Sequence, residues 1–160
     1  MIARWIAVVG GIGLFRPAPG TWGSLAALPL AWVVMQAGAA AFTLATLALI
    51  PVGWWAIAAA TRGQADHDPG EIVVDEVAGQ WVALLPVAWG AAAAGVPATA
   101  LWPGWVAAFA LFRLFDIWKP GPVGWMDRRS DAFGVMADDV VAGAMAAGGV
   151  LALAGAFHAL

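Results

Sequence analysis

The chain has 160 residues, a formal net charge of −3 and no cysteine; hydrophobic residues make up 63% of it and charged residues 11%. Soluble globules average roughly 45–50% apolar and about 25% charged residues, and a domain this small buries only about 70% of its chain surface. A water-soluble globule is therefore excluded, and lipid must cover the surplus. Without a basic run to neutralise a phosphate backbone, nucleic acid is excluded as a partner. Without cysteine, so are disulfides, thiolate metal sites and cysteine nucleophiles.

Residues 2–15 are apolar apart from Arg4, but glycines 10, 11 and 13 interrupt them and no small-residue cleavage pattern follows. They read as an interfacial or re-entrant segment in preference to a cleaved signal. Next comes Pro19-Gly20-Thr21-Trp22-Gly23-Ser24, a glycine-containing turn opening an apolar run. Free N–H groups at such a turn suit an anion, although Ser24 as an ordinary N-cap explains the pattern as simply.

The 45 residues between Arg16 and Arg62 carry no charge, nor do the 36 between Glu76 and Arg113, nor any after Asp139 apart from the weak base His158. A span needs about 20 apolar residues, and a short uncharged breaker divides each of the two long gaps. The expected fold is an all-α, polytopic membrane bundle, one domain over residues 1–160. Its spans lie near 21–38, 41–60, 77–94, 98–118 and 140–157, five in all, or four plus an interfacial or re-entrant segment. All seven Lys and Arg residues then fall on one face, which the positive-inside rule puts in the cytoplasm. The last span has small residues four apart, Gly143 with Ala147 and Ala144 with Gly148, which permit close helix approach or simply reflect composition.

All ten acids lie between Asp66 and Asp139. The pairs Asp75-Glu76 and Asp138-Asp139 each precede an apolar span, and Asp116 closes another. One acid per helix start would complement the helix dipole. Adjacent pairs on two helices repel by about 3 kcal/mol at roughly 5 Å and an effective dielectric near 20, which favours a bound cation. Oxygen-only donors suit Mg²⁺. Arg113, Asp116 and Lys119 are three residues apart and fall on neighbouring parts of one helical face. They read either as a phosphate grip beside a metal or proton carrier, or as a structural ladder with Lys119 snorkelling. His67 reads as a bystander at a loop tip.

Four ordered blocks resemble the bacterial phosphatidylglycerophosphatase A family. They are Gly11-x-Gly13 with Pro19-Gly20-Thr21-x-Gly23-Ser24-Leu25, the stretch Asp68-Pro-Gly-Glu-Ile-Val-Val-Asp75-Glu76-Val-Ala-Gly79, Phe112-Arg113-x-x-Asp116-Ile-Trp-Lys119-Pro120-x-Pro122, and Gly134-Val-Met-x-Asp138-Asp139-Val-Val-Ala-Gly143. The resemblance implies a Mg²⁺-dependent enzyme of the bacterial inner membrane that converts phosphatidylglycerol phosphate to phosphatidylglycerol and inorganic phosphate, its site facing the cytoplasm. The family's acids and bases carry over onto Asp68, Asp75, Glu76, Arg113, Asp116, Lys119, Asp127, Asp138 and Asp139.

The expected metal ligands are Asp75, Glu76, Asp138 and Asp139, with Asp116 completing the site or acting as general base. Asp75, Asp116, Asp138 and Asp139 form the expected catalytic set. Arg113 and Lys119, with Thr21, Ser24, Asp68 and Asp127, form the expected substrate-binding set. The nucleophile is read as a water activated on the metal, with an aspartate as the alternative. The competing classes are a phosphatase of another lipid phosphate, a small cation transporter and a non-catalytic scaffold. Transport sites usually lie near the bilayer midplane, whereas these acids gather at one face.

Overall fold

The computed structural model describes residues 1–64 and 68–158; Asp66 and His67 lie outside the described residues. It is 81% helical with no strand among the described residues, which makes the fold all-α. In chain order come α1 (Ile2–Ala7), a 3-10 turn (Val9–Leu14), α2 (Pro19–Met35), α3 (Ala39–Ala60) and α4 (Val74–Ala94). A second 3-10 turn (Ala98–Leu101) leads into α5 (Trp102–Trp118), followed by α6 (Pro122–Asp127) and α7 (Ala132–His158).

All five expected apolar stretches are helical. Four segments, Ala39–Ala60, Val74–Ala94, Ala98–Trp118 and Ala132–Phe157, are long and apolar enough to cross a membrane. The fifth, α2, has 17 residues and a length of about 25 Å, short of a hydrocarbon core of about 30 Å. Trp54, Trp55, Trp89, Trp102, Leu44 and Phe157 are all exposed. In water such a surface would drive aggregation, so it is a surface built for lipid. Pro51 and Pro86 sit inside α3 and α4 without ending either helix.

Helix α4 is the axis of the bundle and packs against α7, α2, α3 and α5. Its buried residues lie on every side, from Val74 and Asp75 through Gln80, Trp81 and Leu84 to Ala91. The closest approach is to α7. A Cβ added to Gly143 would stand 2.2 Å from the Gly79 carbonyl oxygen, and one added to Gly79 would stand 2.5 Å from the Asp139 carbonyl oxygen. Only a glycine pair lets two backbones touch in this way. Of the two small-residue pairs in the sequence, the one containing Gly143 meets a neighbour, whereas Gly148 faces open space. The Trp81 indole N–H donates to the Ala27 carbonyl at 3.0 Å and ties α4 to α2.

These contacts gather the starts of α2, α4 and α7 and the ends of α3 and α5 at one end of the bundle. The N-terminal segment belongs to the same end. Neither α1 nor the 3-10 turn is long enough to span, and the turn itself is kinked at Gly10 and Gly11, both at positive φ. The Val73 N–H donates to the Ala7 carbonyl at 2.9 Å, and Arg4 pairs with Glu71 at 2.6 Å.

Two boundaries differ from the sequence reading, and both move acids. Helix α4 begins at Val74, so Asp75 and Glu76 occupy its first turn. Helix α7 begins at Ala132, well before the expected start of the last span, so Asp138 and Asp139 lie inside the helix and not at its N-terminus. The capping role there falls to Asp131, whose Oδ1 accepts the Gly134 N–H at 2.8 Å. Asp138-Asp139 is thus not a dipole-complementing pair.

Candidate active site

Three carboxylates converge where α4 meets α7. Asp75, Glu76 and Asp139 each offer an oxygen, and the three oxygens lie within 4.8 Å of one another. Adjacent residues on a helix diverge by about 100°, yet Asp75 and Glu76 each bring one oxygen to this cluster. Asp75 is 4% exposed and Asp139 also 4%. Asp116, at the end of α5, lies near enough to Glu76 and Asp139 for the three charges to interact.

Ionised carboxylates no more than 4.8 Å apart repel by at least about 3.5 kcal/mol per pair at an effective dielectric near 20. A cation or retained protons must offset this. The donor set suits a hard divalent ion, because every ligand is a carboxylate oxygen and the chain contains no cysteine. In addition, Glu76 Oε2 and Asp139 Oδ1 are buried without a hydrogen-bond partner. An unpaired buried polar atom costs about 1–3 kcal/mol, more when charged, and an ion held between these carboxylates would satisfy Asp139 Oδ1. The residues present therefore fit a divalent metal.

A cationic wall stands beside the acids. Arg113 on α5 donates through Nη1 to Asp116 Oδ2 and, at 3.3 Å, to Ser24 Oγ; its Nη2 donates to Thr21 Oγ1 at 3.4 Å. The opening turn of α2 is thereby joined to the site. Ser24 is not the N-cap of α2: the helix starts at Pro19, and the Ser24 hydroxyl donates back to the Gly20 carbonyl at 2.8 Å. Gly20 has a steric role of its own, because a Cβ there would lie 2.2 Å from Glu76 Oε1.

Lys119 departs from the expected Arg113–Asp116–Lys119 face. Helix α5 ends at Trp118, and Lys119 takes a left-handed conformation with φ 50° that turns its side chain out of register. Its ammonium bonds Asp127 on α6 and, at 2.9 Å, Asp138 Oδ2 on α7. Burial alone would lower the Lys119 pKa, but the hydrogen bonds it donates to Asp127 and Asp138 outweigh that and hold the pKa above the usual lysine value. Asp138 thus faces Lys119, while Asp139, one residue on, faces α4. Of the four carboxylates expected as metal ligands, Asp75, Glu76 and Asp139 converge, and Asp138 stands beside them in an ion-pair triad with Lys119 and Asp127. Asp68 is exposed and within Coulombic reach of Asp75.

Gln80 was missed by the sequence reading. It lies on α4 one turn below Glu76, is fully buried, and neither its Nε2 nor its Oε1 has a partner. The available signal was an amide inside an otherwise apolar span.

Residues 5–154 match the family model described as phosphatidylglycerophosphatase A. The phosphatidylglycerophosphatase A of Haemophilus influenzae is 39% identical over 139 residues, covering 86% of this chain and 79% of the relative. That of Escherichia coli is 37% identical over 145 residues, covering 89% and 78%. A Bacteroides thetaiotaomicron protein provisionally named a phosphatidylinositol-3-phosphatase is 39% identical over 140 residues, covering 83% and 81%. No solved structure matches the chain. With nearly its whole length matched, and with its acids, arginine and opening glycine turn gathered at one end of a membrane bundle, the chain belongs to the phosphatidylglycerophosphatase A family of phosphatases.

Proposed function

We propose that the protein hydrolyses the phosphomonoester of phosphatidylglycerol phosphate to phosphatidylglycerol and inorganic phosphate, in a Mg²⁺-dependent reaction at the cytoplasmic face of the bacterial inner membrane. The observation that carries this reading is the meeting of Asp75, Glu76 and Asp139 oxygens within 4.8 Å, beside Arg113, in a chain of this family. Those three carboxylates would hold Mg²⁺. Bound there, the ion supplies a Lewis acid to a phosphoryl oxygen.

The chain's own residues do the rest. Arg113, braced by Asp116, Thr21 and Ser24, presents a guanidinium that pairs with phosphoryl oxygens and stabilises charge as the transition state forms. Lys119, held by Asp127 and Asp138, adds a second fixed cation at the rim. Asp116 takes the proton of the attacking water, the bond between phosphorus and the lipid oxygen breaks as the new P–O bond forms, and the departing lipid oxygen takes up a proton from solvent to leave as the alcohol. The acyl chains keep the headgroup at the depth of these residues, so positioning costs little entropy.

Phosphate release by detergent-solubilised protein tests the reading. Release from phosphatidylglycerol phosphate is expected to require Mg²⁺, to stop with EDTA and to fall at least about 100-fold in Asp139→Asn, with phosphatidate and phosphatidylinositol 3-phosphate turned over more slowly. Undiminished release in EDTA would remove the metal from the reading. Faster turnover of another lipid phosphate would replace the substrate.

A further inference from the structure

We propose that Gln80 is a positioning residue for Glu76, its side-chain amide fixing which carboxylate oxygen Glu76 turns toward the metal. The inference rests on the metal reading above. Among the fully buried polar side chains of the described residues, Ser24 and Thr46 each bond the carbonyl four residues earlier, as does Thr61 at 3% exposure. Gln80 is the exception, with 0% exposure and neither amide atom partnered.

Residues four apart share a helix face, and helical side chains lean toward the N-terminus over the preceding turn. The Gln80 amide is thereby directed to the turn that holds Glu76. There, Glu76 Oε2 is a buried acceptor without a partner, matched by the unpartnered Gln80 Nε2 donor. The two atoms are not bonded to each other in this structure; one ordered water between them, or a small turn of the amide toward the carboxylate, would satisfy both. Either arrangement also leaves Glu76 Oε1, the oxygen that crowds Gly20, as the face presented to the ion. Hydrogen bonds to metal-ligating carboxylates tune affinity in this manner.

Packing and positioning predict opposite signs for Gln80→Met, which keeps the length and removes the amide. Positioning predicts that Mg²⁺ binding, measured by calorimetry on the solubilised protein, weakens about tenfold. The melting temperature of the metal-free protein stays level or rises, because no amide is left unpaired in the interior. Saturating Mg²⁺ returns turnover toward the wild-type rate. Unchanged Mg²⁺ affinity in Gln80→Met overturns the proposal, and so does a variant that melts lower or fails to fold, since the amide would then be a structural bond. A wild-type protein that binds no Mg²⁺ overturns the metal reading and this inference together, whereas wild-type binding with an unaffected variant overturns this inference alone.

Discussion

Gly20 shows how the site depends on atoms that are missing. The nearest neighbour of an added Cβ is the end of a flexible side chain, Glu76 Oε1 at 2.2 Å, so Gly20→Ala displaces the carboxylate and leaves the helix intact. Alanine also favours a helix over glycine by about 1 kcal/mol. The expected variant melts no lower than wild type yet needs more Mg²⁺ for half-maximal phosphate release; a lower melting point with unaltered Mg²⁺ demand would place Gly20 in packing alone. Lys119 gives a prediction in pH. Its folded pKa lies above the free-lysine value of about 10.4. The stabilisation from its charge is therefore fully present below that value and disappears only as pH rises through the folded one. The difference in melting temperature between wild type and Lys119→Met should stay flat from about pH 7 to 9 and shrink above about pH 10. The residues themselves were legible: both acidic pairs, Arg113, Asp116 and Lys119 stand out in a chain with so few charges. Their partners were not, because an aspartate's neighbours across helices depend on rotation about each helix axis, and Asp138 and Asp139 face opposite tasks one residue apart.

Among the helices, the contact of α4 with α7 sets the geometry. It brings the Asp139 backbone against Gly79, so the third carboxylate arrives beside the first two only if these backbones touch. Gly143→Ala would press a Cβ to 2.2 Å from the Gly79 carbonyl oxygen. That atom cannot swing away, so the helices must separate, at a cost of about 1–3 kcal/mol. Gly148→Ala meets nothing within 4 Å and gains helix propensity. Thermal melts by tryptophan fluorescence should show the first variant lowered, with its Mg²⁺ dependence weakened, and the second level or raised. Hydropathy located the helices and missed where they begin. The residues preceding the last apolar run are polar enough to read as a loop, yet Asp131 caps them and extends α7 through both aspartates.

At the scale of the molecule, the absence of cysteine permits a clean test of orientation. Single cysteines at exposed positions on opposite ends, Arg128→Cys near the site and Val96→Cys in the far loop, should react with a membrane-impermeant maleimide in opposite preparations. A cytoplasmic site predicts labelling of the first in inverted vesicles and of the second in intact spheroplasts; the reverse pattern inverts the proposed topology. The sequence by itself determined the solvent, the helical class and the identity of the charged residues, because apolar length and charge placement are local properties that no folding partner can change. The tertiary structure decided which carboxylates converge, that Lys119 leaves the face of Arg113, and that Gln80 lies buried one turn from Glu76. Those outcomes hang on helix rotation, on a glycine contact between α4 and α7 and on one left-handed residue at the end of α5, all of which exist only once distant segments are packed together.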